Sequence, residues 1–244
     1  MNGNIYSYHF RLTAAEVGPQ LEMPLSSLVV AIIDTATAHA NAIGIGFDAL
    51  NPHNASWVLS RLSVELDETP KVNGSYRLDT WVESVGRLSS DRGFALFDEA
   101  DGRCIGRVHT VWMAIDMTTR RPVDLQVVLG DFSNRIVKPE YPSQCPRIAP
   151  FQDEDTGYDY TFKVSDIDVN CHVTTRRYID LIIDLLPLSV YDSKRIARFG
   201  IAFKHEARYS ETARISLRGA DARISTGDTL CALATLGLAD RTQQ

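Results

Sequence analysis

The sequence predicts an α+β fold in which one domain occurs twice. Each half begins with a short strand, continues into an apolar helix and ends in several strands separated by turn signals. The opening strands match, because Tyr8-His-Phe-Arg-Leu is followed 152 residues later by Tyr160-Thr-Phe-Lys-Val. Repetition at this scale indicates two copies of one domain. We expect an N-terminal domain over 1–136, a linker over 137–157 and a C-terminal domain over 158–244.

The first half supplies one strand, one long helix and four further strands. NIYSYHFRL is the predicted opening strand. PLSSLVVAIIDTATAHANAIGIG carries apolar residues at helical spacing over about five turns, and Gly44 and Gly46 are stop signals. WVLSRLSVELDETP and SYRLDTWVESVGR are predicted strands. RGFALFDEADGRCIGRVHTVWMAID holds two more, joined by a turn at Asp98–Gly102.

The second half repeats that order. TGYDYTFKV is a predicted strand, Thr174–Leu186 a predicted helix, and FGIAFKHEARYS, ARISLRGADAR and DTLCALATLGL are predicted strands. The connecting segment is rich in proline, as a linker is, at Pro139, Pro142, Pro146 and Pro150. A long apolar helix followed by a bent antiparallel sheet is the hotdog arrangement. A tandem pair places two such sheets side by side and buries both helices.

Composition restricts the function classes. The net charge of -6 argues against a nucleic-acid binder. No run approaches the ~20 apolar residues of a membrane span, and the N-terminus lacks the pattern of a signal peptide. Four cysteines without a CxxC pair favour free thiols in a reducing cytoplasm and offer no zinc site. We therefore expect a cytoplasmic protein with no membrane span.

Polar residues cluster directly ahead of the second helix. Asp166, Asp168, Asn170 and His172 lie within seven residues at its start. Carboxylates and an imidazole can activate water, and an amide can stabilise a carbonyl oxygen that gains charge. The alternatives are a carboxylate that caps a turn, for Asp166 and Asp168, and a structural role for His172.

The first half also carries segments of a known family. WVLSRLSVEL, DTWVESVGR, the R-x-F of Arg92-Gly93-Phe94, and VWMAIDMTTRRPV resemble the N-terminal half of acyl-ACP thioesterases. In the second half, Asp168-Val-Asn170-Cys-His172-Val followed by Tyr178 resembles their D-x-N-x-H-V motif. Phe203-Lys-His-Glu206 resembles the strand that carries their second catalytic carboxylate. The similarity spans nearly the whole chain in the family's order.

This resemblance implies a tandem hotdog enzyme that hydrolyses the thioester between a fatty acyl chain and the phosphopantetheine arm of acyl carrier protein (ACP). It implies a catalytic set of Asp168, Asn170, His172 and Glu206, and no metal or cofactor. Glu206 is our candidate base for water, assisted by His172, and its alternative is a surface ion pair. Asp168 either orients its neighbours or attacks the carbonyl itself. Asn170 offers an amide donor for either the water or the oxyanion, and a backbone amide at the helix start offers a second donor.

The sequence departs from the family at a few positions. Cys171 stands where glycine is usual, and Thr174-Thr175 stands where Asn-Asn is usual. Ala207 follows Glu206, so the thiol found there in some plant members is excluded. A Cys171–His172 nucleophile pair is disfavoured, because neighbours on an extended segment point to opposite sides.

Substrate contacts are predicted on both helices. The first half has AAEVGPQLEMP in place of the motif, so we expect one chemical site per chain. Its helix is expected to shape the acyl pocket, with ordinary core as the alternative, through Val29, Ile32, Ile33 and Ala36. Arg176 and Arg177 are candidates for meeting an acidic helix of ACP. Their alternative, like that of Arg120-Arg121, is solvated surface.

Other functions stay open at this point. An acyl-CoA thioesterase shares the pantetheine arm, so residues near the catalytic groups do not separate it from an acyl-ACP hydrolase. A non-catalytic acyl-binding hotdog protein would not need all four polar groups. A hydratase also uses histidine and a carboxylate, but the N-terminal motifs fit thioesterases better. Both a monomer and a homodimer are compatible with a tandem chain.

Overall fold

The computed structural model describes residues 4–138, 145, 147–152 and 156–241. Its strands form one antiparallel sheet with the order β1-β3-β4-β5-β2-β7-β10-β9-β8-β6. The strands are β1 Ile5–Arg11, β2 Ala55–Leu66, β3 Ser75–Val85, β4 Ser90–Asp98, β5 Cys104–Asp116, β6 Gly157–Thr161, β7 Lys194–Phe203, β8 Thr212–Arg218, β9 Asp221–Thr226 and β10 Thr229–Asp240. The α-helices are α1 Leu25–Ala42, α2 Phe47–Leu50, α3 Leu125–Leu129, α4 Thr175–Ile183 and α5 Leu188–Ser193.

The sheet has the same topology read from either edge. Each strand of the first half has a counterpart in the second, with β6 for β1, β7 for β2, β8 for β3, β9 for β4 and β10 for β5. The central strands β2 and β7 pair across the middle, where Arg61 lies opposite Ala202 and Glu65 opposite Arg198. Residue 61 of the first half corresponds to residue 198 of the second, and residue 65 to residue 202, an offset of 137 in both cases. Exchanging the two halves therefore converts the pair Arg61–Ala202 into the pair Glu65–Arg198. The two halves are therefore related by an approximate two-fold axis through the β2–β7 pair.

Both long helices lie in one core with the inner faces of the sheet. Val29 and Ile32 of α1 and Ile179 and Ile182 of α4 are fully buried in the same cluster, which also holds Phe94 and Phe199. Each fully buried aliphatic side chain contributes about 1.5–3 kcal/mol of hydrophobic stabilisation. The predicted α+β class with two tandem hotdog units is confirmed.

Several predicted elements differ from the structure. The strand predicted over WVLSRLSVELDETP ends at Leu66 rather than at Pro70. The second helix ends at Ile183, because Leu185 and Leu186 form tight turns ahead of Pro187, which is unfavourable within a helix. β7 ends at Phe203, because the amides of Lys204 and His205 share one carbonyl, that of Cys231, and the ladder stops. ARISLRGADAR is not one strand but the hairpin β8–β9.

The predicted linker over 137–157 is only partly described, since 139–144, 146 and 153–155 lie outside the described residues. Three of its four prolines fall among these.

Along the described chain, no single helix is long and apolar enough to cross a membrane. The segments Leu25–Ala42 and Phe47–His53 reach that length and composition only as a pair bent by 62°.

Candidate active site

The loop ahead of α4 is organised by Asp168. Its Oδ1 accepts hydrogen bonds from the backbone amides of Asn170 (2.8 Å) and His172 (3.0 Å), and its own amide donates to the His172 carbonyl at 2.8 Å. The carboxylate therefore holds the backbone of the two neighbouring polar residues. Of the roles predicted for Asp168, the geometry favours orientation, because the carboxylate accepts from the backbone amides of both Asn170 and His172.

His172 and Glu206 lie together at the end of this loop. The His172 Nε2 is 3.1 Å from Glu206 Oε2, and the imidazole is largely buried while the carboxylate is partly exposed. The loop ahead of α4 is joined to the chain after β7 by a bridge between His172 and Arg208. Tyr178 of α4 adds a second tie, because its hydroxyl oxygen accepts a hydrogen bond from the Ala207 amide at 2.9 Å. Residues 34 positions apart in sequence thus form one site.

Arg120, from the other half of the chain, completes the group. Its Nη2 donates to Glu206 Oε1, the oxygen that does not face His172. Arg120 lies in the turn after β5, where Asp116 Oδ1 accepts the amides of Thr118 and Thr119. The sequence indicated only an adjacent arginine pair with solvated surface as its alternative. Its segment, VWMAIDMTTRRPV, was nevertheless among those that resemble the family.

The surroundings keep His172 neutral. Burial, and then the positive charge of Arg120, lower the pKa of the imidazole below its ordinary value of 6.5, and Arg208 adds to this. The carboxylate of Asp168 acts in the opposite direction but does not outweigh them. At neutral pH a neutral imidazole therefore faces Glu206. Such an imidazole can accept or relay a proton.

Replacement of Arg120 by Gln will move the acidic limb of the pH–activity profile to higher pH. A nearby cation disfavours the imidazolium, so removing it raises the pKa of His172, and protonated His172 accumulates at a higher pH. The measurement is kcat/KM against pH with an acyl thioester. Arg121→Gln is the matched control, because that side chain is exposed and its neighbour makes the contact. A limb that stays in place or moves to lower pH would contradict this role of Arg120.

Cys171 occupies a strained position in the candidate catalytic loop, which is the loop ahead of α4. Its φ is +62°, in the left-handed region that glycine adopts freely and other residues adopt at a cost. This explains why glycine is usual at this position in the family that the motif resembles. The loop closes despite the strain, because the Cys171 amide donates to the Asp168 carbonyl at 3.1 Å.

Cys171→Gly will raise the free energy of unfolding by roughly 0.5–1 kcal/mol. Glycine relieves the backbone strain of the folded state, and the greater conformational entropy that it gives the unfolded chain offsets part of that gain. Denaturant unfolding measures it. Cys171→Ala is the control: it keeps the strained backbone and should not stabilise. It should also leave thioester cleavage within about twofold, since carboxylates and imidazole rather than a thiol are placed for the chemistry. Loss of activity in Cys171→Ala would instead support a thiol nucleophile.

Asp166 stabilises the segment that leads into the loop ahead of α4. It is fully buried, and its carboxylate accepts from Arg177 Nε (2.5 Å), the Lys163 amide (2.7 Å) and the Tyr160 hydroxyl (3.1 Å). Its carbonyl accepts from the Thr174 amide, which starts α4. Asp166 thus has the structural role that was its alternative. Arg177, predicted to contact ACP, is held in this internal ion pair, whereas Arg176 is 57% exposed.

A cavity of about 320 Å³ lies between the end of α1, α2 and the start of β2. Aromatic and aliphatic side chains form its walls, among them Ile33, Ala36, Phe47, Leu50, Trp57 and Trp112. Two of the four predicted acyl-pocket residues, Ile33 and Ala36, line it. Val29 and Ile32 are fully buried core instead.

The cavity and the His172–Glu206 pair lie at the same end of β2. β7 runs antiparallel to β2, and the last residues that they pair are Arg61 and Ala202. The segment that follows Ala202 therefore heads toward the start of β2. Glu206 lies four residues further on.

Within the part of the chain that the structure describes, no group of three or more His, Cys, Asp or Glu side chains is arranged to hold a metal ion.

Comparison with known families agrees with this geometry. Residues 3–131 match the model of the acyl-ACP thioesterase N-terminal domain, and residues 151–232 match that of the C-terminal domain. The chain belongs to the acyl-ACP thioesterase family. Its similarity to an acyl-ACP thioesterase from Bacteroides thetaiotaomicron is 30% identity, over 97% of this chain and 98% of that one, with a TM-score of 0.86.

More distant members of the acyl-ACP thioesterase family share the fold. The 12:0-ACP thioesterase from Umbellularia californica is 17% identical, covers 99% of this chain and 96% of that one, and superposes with a TM-score of 0.86. The chloroplastic palmitoyl-acyl carrier protein thioesterase of Gossypium hirsutum is 25% identical over 217 residues, 84% of this chain. This chain spans only 52% of that protein. It thus covers about half the length of such plant relatives.

Proposed function

We propose that this protein hydrolyses the thioester of fatty acyl-ACP, releasing a free fatty acid and ending chain elongation in fatty acid biosynthesis. One observation carries the proposal: a neutral His172 and the Glu206 carboxylate meet at the same end of β2 as an apolar cavity, in a chain of the acyl-ACP thioesterase family. The cavity has the lining that an acyl chain requires. An acyl chain in this cavity would carry its thioester toward the polar group, which lies at the same end of β2.

Glu206 would act as general base. A water near its carboxylate loses a proton to Glu206 and attacks the thioester carbonyl carbon, and the carbonyl oxygen takes up the electron pair. The Asn170 side chain, or an amide in the first turn of α4, donates to that oxyanion. Collapse of the intermediate breaks the carbon–sulfur bond. The proton returns through Glu206 or His172 to the leaving sulfur, which departs as the thiol of the pantetheine arm.

Arg120 and Asp168 would position these groups. The ion pair with Arg120 fixes one Glu206 oxygen and leaves the other toward His172. Asp168 fixes the backbone on which Asn170 and His172 are mounted. Because one contact comes from each half of the chain, the site would form only when the two halves are packed together. Such fixed geometry accounts for a substantial part of enzymatic rate acceleration.

Arg176 is the proposed contact for ACP. Its side chain is 57% exposed on the first turn of α4, with Nε 3.8 Å from Asp180, and lies next to the candidate catalytic loop in sequence. Arg176→Glu should lower kcat/KM for acyl-ACP by roughly 3- to 10-fold while acyl-CoA hydrolysis stays within twofold, because the proposed partner of Arg176 is an acidic helix of the carrier protein, which CoA lacks. Arg87→Glu, at an even more exposed arginine, is the control. Equal losses with both donors would contradict this contact.

Acyl-CoA hydrolysis and acyl binding without hydrolysis are the competing functions. The donor comparison above separates ACP from CoA, and an absence of thiol release with every donor would favour binding alone. The cytoplasmic location expected from the sequence stays a proposal, as does the choice between monomer and homodimer.

A further inference from the structure

The loop ahead of α1 has the same backbone as the catalytic loop. Gly18 donates to the Glu22 carbonyl at 2.8 Å and Leu21 to the Gly18 carbonyl at 2.9 Å. In the catalytic loop, Asp168 donates to His172 and Cys171 to Asp168 at 2.8 and 3.1 Å. The left-handed residue is repeated too, with φ of +59° at Leu21 and +62° at Cys171.

The partner segments also correspond. Met23 donates to the Pro70 carbonyl at 2.8 Å, as Val173 donates to Ala207 at 2.9 Å. A bridge joins Glu22 with Lys71, as one joins His172 with Arg208. The approximate two-fold axis therefore places a second copy of the site architecture at the opposite end of the central strands.

The chemical groups of the catalytic site are replaced in this second copy. Glycine stands at Gly18 for Asp168, a carboxylate at Glu22 for His172, and a hydroxyl at Thr69 for Glu206. The Glu22 carboxylate is paired with Arg241, just beyond β10, at 2.6 Å. A base–imidazole pair is thus missing from these positions, and hydrolysis there is not expected.

The cavity, unlike the chemistry, is retained. A space of about 340 Å³ opens between this loop, the end of α4, α5 and the start of β7. Its apolar walls include Leu25, Leu28, Ile183, Leu186, Leu188 and Ile196. It corresponds to the first cavity, which lies between the end of α1, α2 and the start of β2, and their volumes are nearly equal.

Small side chains at Gly18 and Thr69 explain why the second cavity extends up to the loop ahead of α1. Gly18, Glu22 and Thr69 all line it. At the equivalent place in the catalytic half, the Glu206 and Arg120 side chains meet. The smaller side chains at Gly18 and Thr69 leave that space open.

We propose that the second cavity is an acyl-chain binding site that holds its ligand without cleaving it. The inference rests on the proposed function, because it takes the first cavity as the acyl pocket and assigns the same ligand chemistry to its two-fold counterpart. The occupant is an unbranched hydrocarbon chain, delivered either as a free fatty acid or as an acyl thioester. Each chain of this protein therefore has two acyl sites and one hydrolytic centre.

Calorimetric titration with palmitic acid, and separately with a non-hydrolysable palmitoyl-CoA analogue, tests this proposal. Wild type should bind two molecules per chain. Leu186→Trp, which fills the second cavity, should bind one and retain full thioester hydrolysis. Ile33→Trp, which fills the first, should also bind one but lose hydrolysis. The two ligands show which source of the acyl chain the second cavity accepts.

Binding of a single molecule by wild type, unaffected by Leu186→Trp, would overturn the proposal. If wild type also cleaves acyl thioesters, only this inference fails and the proposed function stands. Two-site binding without any hydrolysis would instead remove the proposed function and keep the second site. Leu188→Trp, at a 57%-exposed position of the cavity rim, replaces Leu186→Trp if that variant does not fold.

Discussion

Glu206→Gln will lower kcat for acyl thioester hydrolysis by about 10²–10⁴-fold, the usual contribution of a positioned general base. The amide cannot take a proton from water, yet it keeps the size of the side chain. Because Glu206 is 39% exposed, its replacement should leave the melting temperature nearly unchanged. KM should also change little, since the acyl cavity is not formed by this side chain. The measurement is steady-state kinetics with one acyl-ACP substrate.

Glu68→Gln provides the matched control for this prediction. Glu68 is an exposed carboxylate paired with Arg103. It directly precedes Thr69, which occupies the place of Glu206 in the first half of the chain. Its replacement should leave kcat within twofold. If Glu206→Gln keeps more than a tenth of the wild-type rate while folded, Glu206 is not the base. Asp168 would then become the stronger candidate for direct attack.

Asp166→Ala will lower the free energy of unfolding by about 3 kcal/mol, near the low end for breaking a buried ion pair. The carboxylate is fully buried and satisfies one guanidinium, one amide and one hydroxyl. Its removal leaves the Arg177 guanidinium, 28% exposed, without its anion. The remaining exposure is why the expected loss lies at the low end. Denaturant unfolding monitored by fluorescence gives the value.

Glu16→Ala is the control that the repeat provides. Glu16 occupies the position of Asp166 in the first half, where its carboxylate caps the turn at Thr13 but is exposed and has no arginine partner among the described residues. Loss of a cap costs about 0.5–1 kcal/mol. Equal destabilisation by the two substitutions would show that the Asp166–Arg177 pair adds nothing beyond a cap.

Local patterns account for what the sequence could predict. The long helix and the strands follow from apolar periodicity, and the repeat follows from the matching order of elements. The residues of the candidate catalytic loop lie close together in sequence, so the clustering of Asp168, Asn170 and His172 was visible directly. Placing Glu206 beside them needed the family resemblance, because periodicity gives no distances between separate segments.

Contacts between the two halves could not be predicted in this way. Arg120 is 86 residues from Glu206, and their pairing depends on how the turn after β5 meets the chain after β7. The ends of α4 and β7 were misplaced because Pro187 and a shared carbonyl, rather than hydrophobic pattern, terminate them. The second cavity arises from the two-fold arrangement of the whole sheet. Single-residue signals such as Glu22 gave no indication of it.

The most direct test of the central claim is the release of free thiol from palmitoyl-ACP by the wild-type protein, compared in parallel with Glu206→Gln and Glu68→Gln. The account predicts rapid thiol release by wild type and Glu68→Gln, and release at least about 100-fold slower by Glu206→Gln. Absence of thiol release by folded wild-type protein from palmitoyl-ACP, and from shorter and longer acyl-ACPs, would contradict it.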